Sequence, residues 1–87
     1  MRRIIFHKHF EKSYSKLSKK TKEAFKDRRN LFLEDPQNPF LGIHMLHGEY
    51  KGYKSFNITG DIRVIYKEIK EEVYIFADIG SHGKLYS

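Results

Sequence analysis

The spacing of apolar residues changes along this chain, and each change marks an element. Residues 2 to 7, Arg-Arg-Ile-Ile-Phe-His, carry a short apolar run that predicts a first strand. From His9 the period lengthens. Phe10, Tyr14 and Leu17 fall at i, i+4 and i+7, one face of a helix, with Glu11, Lys12 and Lys16 off that face. Ser18 is placed to cap a second helix, whose apolar stripe is Ala24, Phe25, Leu31 and Phe32 with Arg28 in register. Asp35-Pro36 ends it, because the residue before a proline is disfavoured in the helical basin. Two amphipathic helices in succession make a hairpin with one side free to cover a sheet.

Residues 36 to 50 read as a loop punctuated by proline, asparagine and glycine, and they carry His44 and His47. Three strands follow, at about 51 to 58, 62 to 69 and 72 to 79. Thr59-Gly60-Asp61 and Lys70-Glu71 join them, both short enough for tight hairpins. The expected architecture is α+β: one domain over residues 1 to 87, ordered β-α-α-β-β-β, with the helical hairpin on a mainly antiparallel sheet. Strand alternation sets Ile62, Val64 and Tyr66 against Asp61, Arg63, Ile65 and Lys67. It likewise sets Tyr53, Ser55 and Asn57 against Lys54, Phe56 and Ile58. Both faces are mixed, so the pattern leaves open which one the helices cover.

Composition narrows the classes of function. At 39% hydrophobic and 15% aromatic, 87 residues can bury a real core, which excludes a disordered chain. The absence of cysteine excludes disulfides and zinc-thiolate sites. No apolar run approaches the roughly 20 residues of a membrane span, and Ile4-Ile5-Phe6 is too short for a signal-peptide core. A cytoplasmic protein with no membrane association is the expectation. The formal charge of +6 favours a polyanionic partner, either nucleic acid or an acidic protein.

The five histidines admit three readings. As metal ligands, His7-x-His9, His44-x-x-His47 and His82 lack a carboxylate at a recognisable interval, so no metal is expected. As structural residues, His7 and His9 are satisfied surface groups. As acid-base groups, imidazoles titrate near neutrality and suit phosphodiester cleavage, with an aspartate and cations beside them. RNA supplies its own 2′-hydroxyl nucleophile, so such a site needs neither a cofactor nor a covalent enzyme intermediate. Lys51, Lys54, Arg63, Lys67 and Lys84 interleave with Tyr50, Tyr53, Phe56 and Tyr86, which suits single-stranded RNA. The bland alternative is a solvated lysine face over core aromatics.

A set of spaced residues carries more than any of these features singly. It comprises Leu46-x-Gly48-x-Tyr50-Lys51-Gly52-Tyr53-Lys54, then Asp61, then Ile65-Tyr66-Lys67, then Gly80-Ser81-His82-x-x-Leu85-Tyr86. In this combination the chain closely resembles the RelE/ParE toxin superfamily, and its YafQ branch most of all. The resemblance implies a toxin of a type II toxin-antitoxin pair, a ribosome-dependent endoribonuclease that cuts messenger RNA in the decoding site without a metal. It also implies a cognate antitoxin that covers the active face in a hetero-oligomer, with the ribosome and mRNA as further partners.

By position, His44, Asp61, His82 and Tyr86 match the branch's catalytic cluster. His82 and His44 become the proton-transfer pair, Asp61 the group that orients one of them, and Tyr86 a stacking ring. Asn57 stands where the branch has a further histidine, and it can hydrogen-bond phosphate but not exchange a proton near neutrality. Ile62 replaces an aromatic. Arg63 falls where RelE-type relatives carry a phosphate-stabilising arginine, with Lys54 beside it and Lys51, Asn57 and Lys84 as RNA contacts. The glycines flanking His82 are expected to let a phosphate approach closely. Two alternatives remain: a ParE-like gyrase poison of the same fold, and an inactive RNA-binding member.

Overall fold

The computed structural model describes residues 1 to 86, and Tyr86 by its backbone alone. The elements run β1 (Arg3–Phe6), α1 (Lys8–Ser15), α2 (Lys19–Glu34), β2 (His44–Met45), β3 (Lys54–Asn57), β4 (Ile62–Lys70), β5 (Val73–Ser81) and α3 (His82–Tyr86). The strands form one sheet in the order β1-β5-β4-β3-β2, antiparallel except for the parallel β1-β5 pair. The fold is α+β with helices on a mixed sheet, as the apolar pattern predicts.

Local chemistry starts and stops the helices. His7 caps α1, its Nδ1 accepting the backbone N–H of His9 at 3.0 Å. Ser18 caps α2, its Oγ accepting from the Thr21 N–H at 3.1 Å. At the far end of α2, Arg2 donates from Nη1 to the Leu33 carbonyl at 2.8 Å, placing a cation on unpaired carbonyls at the negative end of the helix dipole.

The question of faces is settled by the aromatic core. Phe32 of α2 is fully buried and stacks on Phe56 of β3, with centroids 5.1 Å apart. Its ring also meets Tyr66, Tyr74 and Phe76 edge-on. Phe10 and Phe25 complete the cluster against Phe76. Phe56, Ile58, Val64 and Tyr66 therefore face the helices, so alternation turns Ser55, Asn57, Arg63, Ile65 and Lys67 to the opposite, open face. Ile65 is fully buried yet outside the main cluster.

Three features differ from the sequence expectation. The stretch 36 to 50 contains a strand: β2 pairs with β3, His44 opposite Ser55, making a fifth strand at the sheet edge. The strand expected from residue 51 begins only at Lys54, after a turn in which Gly52 takes φ +92°. The tail coils into the short helix α3 rather than simply ending a strand.

Candidate functional site

Arg63 is the centre of the open face. It lies opposite Asn57 on β3 and Gly80 on β5, and its guanidinium is held from three directions. Nε and Nη2 both donate to Ser55 Oγ, at 3.0 and 2.9 Å, and Nη2 also donates to the Gly42 carbonyl at 2.9 Å. Nη1 donates to Asn57 Oδ1. All these acceptors are neutral, and among the described residues Arg63 has no carboxylate partner. Its plane is therefore fixed while its charge stays uncompensated, which is what an anion-binding guanidinium requires.

Gly42 makes this clamp possible. It sits at φ +56°, and a Cβ there would come within 2.3 Å of Asn57 Nδ2. A side chain at 42 would collide with the amide that holds Arg63, in a backbone conformation that L-residues rarely adopt.

A cavity of about 310 Å³ opens beside the clamp, lined by His44, Met45, Leu46, His47, Ser55, Arg63 and His82. β2 delivers His44, since cross-strand pairing with Ser55 puts it on the open face. The tail delivers His82, whose backbone N–H donates to the Asp61 carbonyl at 3.2 Å. That bond joins the β3-β4 turn to the start of α3. Three imidazoles and one guanidinium thus share a cavity whose lining contains no Asp or Glu, so it attracts anions and contains groups able to exchange protons.

The structure brings His44, Arg63 and His82 together and ties Asp61 to His82 through the main chain. The carbonyl oxygen of Asn57 holds Arg63. Lys84 belongs nearby, since its stem would lie 3.3 Å from a Cβ on Gly80, the residue opposite Arg63. The glycines before and after His82 have different surroundings. Gly80 makes room for Lys84 and Leu85, and nothing lies within 4 Å of a Cβ at Gly83.

Lys54 is not brought to Arg63, because it shares its side of β3 with the core residue Phe56 and lines a different cavity. Lys51 lies exposed in the turn before β3. The ring of Tyr86 falls outside the described residues. Sequence reasoning left out His47, Ser55 and Gly42 from this site. Ser55 was recoverable from its alternation with Asn57, whereas the other two depend on how the β2 segment returns.

A larger cavity, about 730 Å³, lies elsewhere, between residues of the 36 to 43 stretch and the helix-side residues Lys54, Tyr66 and Tyr74. Burial, reinforced by Tyr74 and Glu68, pushes the Tyr66 hydroxyl up to about 12, and burial raises Tyr74 in the same direction. These phenols are held neutral, and no histidine lines that cavity, so size does not mark the chemistry here. Among the described residues no three His, Asp or Glu side chains gather to hold a metal. No helix of these residues is long and apolar enough to cross a membrane.

Known structures share this architecture end to end. The crystal structure of YafQ from E. coli strain BL21(DE3) superposes with a TM-score of 0.82 at 22% identity, covering 100% of both chains. The YafQ of the E. coli DinJ-YafQ toxin-antitoxin complex gives 0.79 at 22% identity over 99% of this chain and 98% of that one. A metal-bound toxin from Helicobacter pylori gives 0.71 at 26% identity over 99% and 100%. Among curated proteins none matches the sequence. The family model described as the bacterial toxin of the type II toxin-antitoxin system, YafQ, matches residues 2–87. The chain therefore belongs to the YafQ family of type II toxins.

Proposed function

We propose that this toxin is an endoribonuclease that cleaves messenger RNA in the ribosomal decoding site and so stops translation. The observation that carries the reading is the neutral-clamped Arg63 beside His44, His47 and His82 in one acid-free cavity. A phosphodiester seated there meets a fixed positive charge and imidazoles able to move protons. One histidine of the His44 and His82 pair takes the proton from the RNA 2′-hydroxyl. The oxygen attacks the adjacent phosphorus, and the other histidine protonates the departing 5′-oxygen. Arg63 stabilises the charge that grows on the phosphoryl oxygens. No metal is needed in these steps, because nucleophile, base and acid are all present.

Asp61 positions His82 through the turn-to-tail bond, and Tyr86 stacks on a neighbouring base. Lys51 and Lys84 add attraction for the backbone, with Lys54 adding positive charge from β3. The protein acts in the cytoplasm, where its antitoxin masks the open face. The E. coli DinJ-YafQ complex supports such a partner.

Translating ribosomes supplied with the purified toxin test the reading. Cuts should fall within the decoding site and leave a 2′,3′-cyclic phosphate and a 5′-hydroxyl. A 2′-deoxy sugar at the cut position should abolish them. His82→Ala should fold and lower the cleavage rate by about 100-fold, the scale of losing a positioned proton-transfer group, whereas Asp61→Ala, which keeps the main-chain carbonyl bound to His82, should lower it less. Intact messenger with gyrase-linked DNA breaks would instead establish the gyrase-poisoning alternative. Ribosome binding without any cut would leave an inactive RNA-binding member.

A further inference from the structure

We propose that a second cavity on the open face is a nucleobase subsite for RNA, selective for bases that carry an exocyclic amino group. This rests on RNA being the ligand of the Arg63 cavity. The second cavity, about 440 Å³, is lined by His7, His9, Glu49, Tyr50, Tyr53 and Asp78 together with Ala77. That volume falls within the roughly 300–1,000 Å³ of small-molecule sites.

Its chemistry is the complement of the first cavity. The Arg63 cavity holds a guanidinium and three imidazoles with no carboxylate, which suits phosphate. The second holds two carboxylates and no lysine or arginine in its lining, with the Lys67 Nζ set 5.3 Å from the centroid of the Tyr53 ring. Carboxylates accept hydrogen bonds from amino groups, as an acidic side chain does from the cytosine N4 amine. The walls are aromatic. His7 and His9 stack in parallel, 5.0 Å apart at 10°, and Tyr50 and Tyr53 meet edge-to-face at 6.2 Å and 80°. Planar bases stack on such rings with little dependence on sequence, and the carboxylates add the discrimination.

The subsite is built rather than incidental. Asp78 is part-buried, and its Oδ1 accepts from Ser13 Oγ at 2.7 Å and from the Ile79 N–H at 2.8 Å, which anchors one carboxylate oxygen. The His7 ring is fixed too, because its Nδ1 caps α1. Both cavities flank one segment. His44 to His47 line the Arg63 side, and Glu49, Tyr50 and Tyr53 line the other. Register relates their floors: Ser55 pairs with Ile65, and Ile65 with Asp78. Two strand spacings of about 4.8 Å put Ser55 and Asp78 roughly 10 Å apart, within reach of one RNA strand.

An acidic aromatic pocket also suits an arginine side chain of a protein partner. Adjacency to a phosphate site on the same face favours RNA, and the test separates the two. Trinucleotides rA, rC, rG and rU with 2′-O-methyl sugars cannot be cut, so they report binding alone. In NMR titrations of the whole protein, rA, rC and rG should shift the ring signals of His7, His9 and Tyr53. They should also bind about fivefold or more tightly than rU, the lower bound for a good base contact. Glu49→Ala should bring that ratio close to one, and His9→Ala should weaken all four.

Equal affinity for the four, or shifts confined to His44, His47 and His82, would overturn the proposal. So would shifts of the His7–Tyr53 group by an arginine-containing peptide and by no trinucleotide. Because the RNA is uncleavable, a toxin that cuts nothing on ribosomes yet shows this preference loses the nuclease reading and keeps the subsite.

Discussion

At the scale of single residues, the site depends on atoms that do no chemistry. Arg63 keeps its charge available because Ser55, Asn57 and the Gly42 carbonyl hold it without neutralising it. Asn57 stands where a YafQ-branch histidine is expected, and its amide does a different job there. That amide positions the guanidinium, and His47 enters the cavity beside His44. The weak point of this arrangement is Gly42. An alanine at φ +56° carries a strain of about 1–2 kcal/mol before any clash. Its methyl group would also displace Asn57 and release one side of the guanidinium. Gly42→Ala should lower the thermal midpoint and slow messenger cleavage together. Loss of stability with an unaltered cleavage rate in the folded fraction would show that Arg63 does not depend on this clamp.

At the scale of elements, α2 organises the sheet through one ring. Phe32 touches β3, β4 and β5 at once, by way of Phe56, Tyr66, Tyr74 and Phe76. Phe32→Ala should cost about 3–5 kcal/mol, read as a lower urea midpoint with an unchanged slope. The two helices were legible in the sequence because their signals are local: a 3.6-residue period, a serine cap and a proline stop. The hairpin β4-β5 was legible for the same reason. β2 was not, since two residues carry no period and exist only by pairing with Lys54 and Ser55. The buried face was hidden by Ile65, an apolar residue that is buried on the open side. Once that face is known, the parity of β3 separates Ser55 and Asn57 from Lys54. Grouping Lys54 with Arg63 ignored that parity. The likeness of His44, Asp61 and His82 to the family cluster pointed to one region of the chain, but their approach depends on β2 and on the turn-to-tail bond, both non-local.

At the scale of the whole molecule, the two sheet faces differ in chemistry. The helix side is aromatic and holds its tyrosines neutral, while the open side gathers imidazoles and a guanidinium. Tyr66 makes the division measurable. Its hydroxyl lies near 12 in the folded protein, against an ordinary value of 10, mainly through burial. The folded state therefore keeps this proton through a range in which the unfolded chain has released it. Between about pH 10 and 12 unfolding releases up to one proton from this group, so stability must fall as pH rises. Below pH 10 both states hold the proton and Tyr66 contributes no slope. Chemical denaturation from pH 8 to 12 should show this decline in the native protein. In Tyr66→Phe, which keeps the ring but has no proton to lose, the slope should be shallower by up to one proton. Tyr74, shifted in the same direction, leaves a residual dependence. Identical slopes for the two proteins would mean that the phenol is solvated as freely in the fold as in the unfolded chain. The helices would then not seal this side of the sheet as the packing around Phe32 requires.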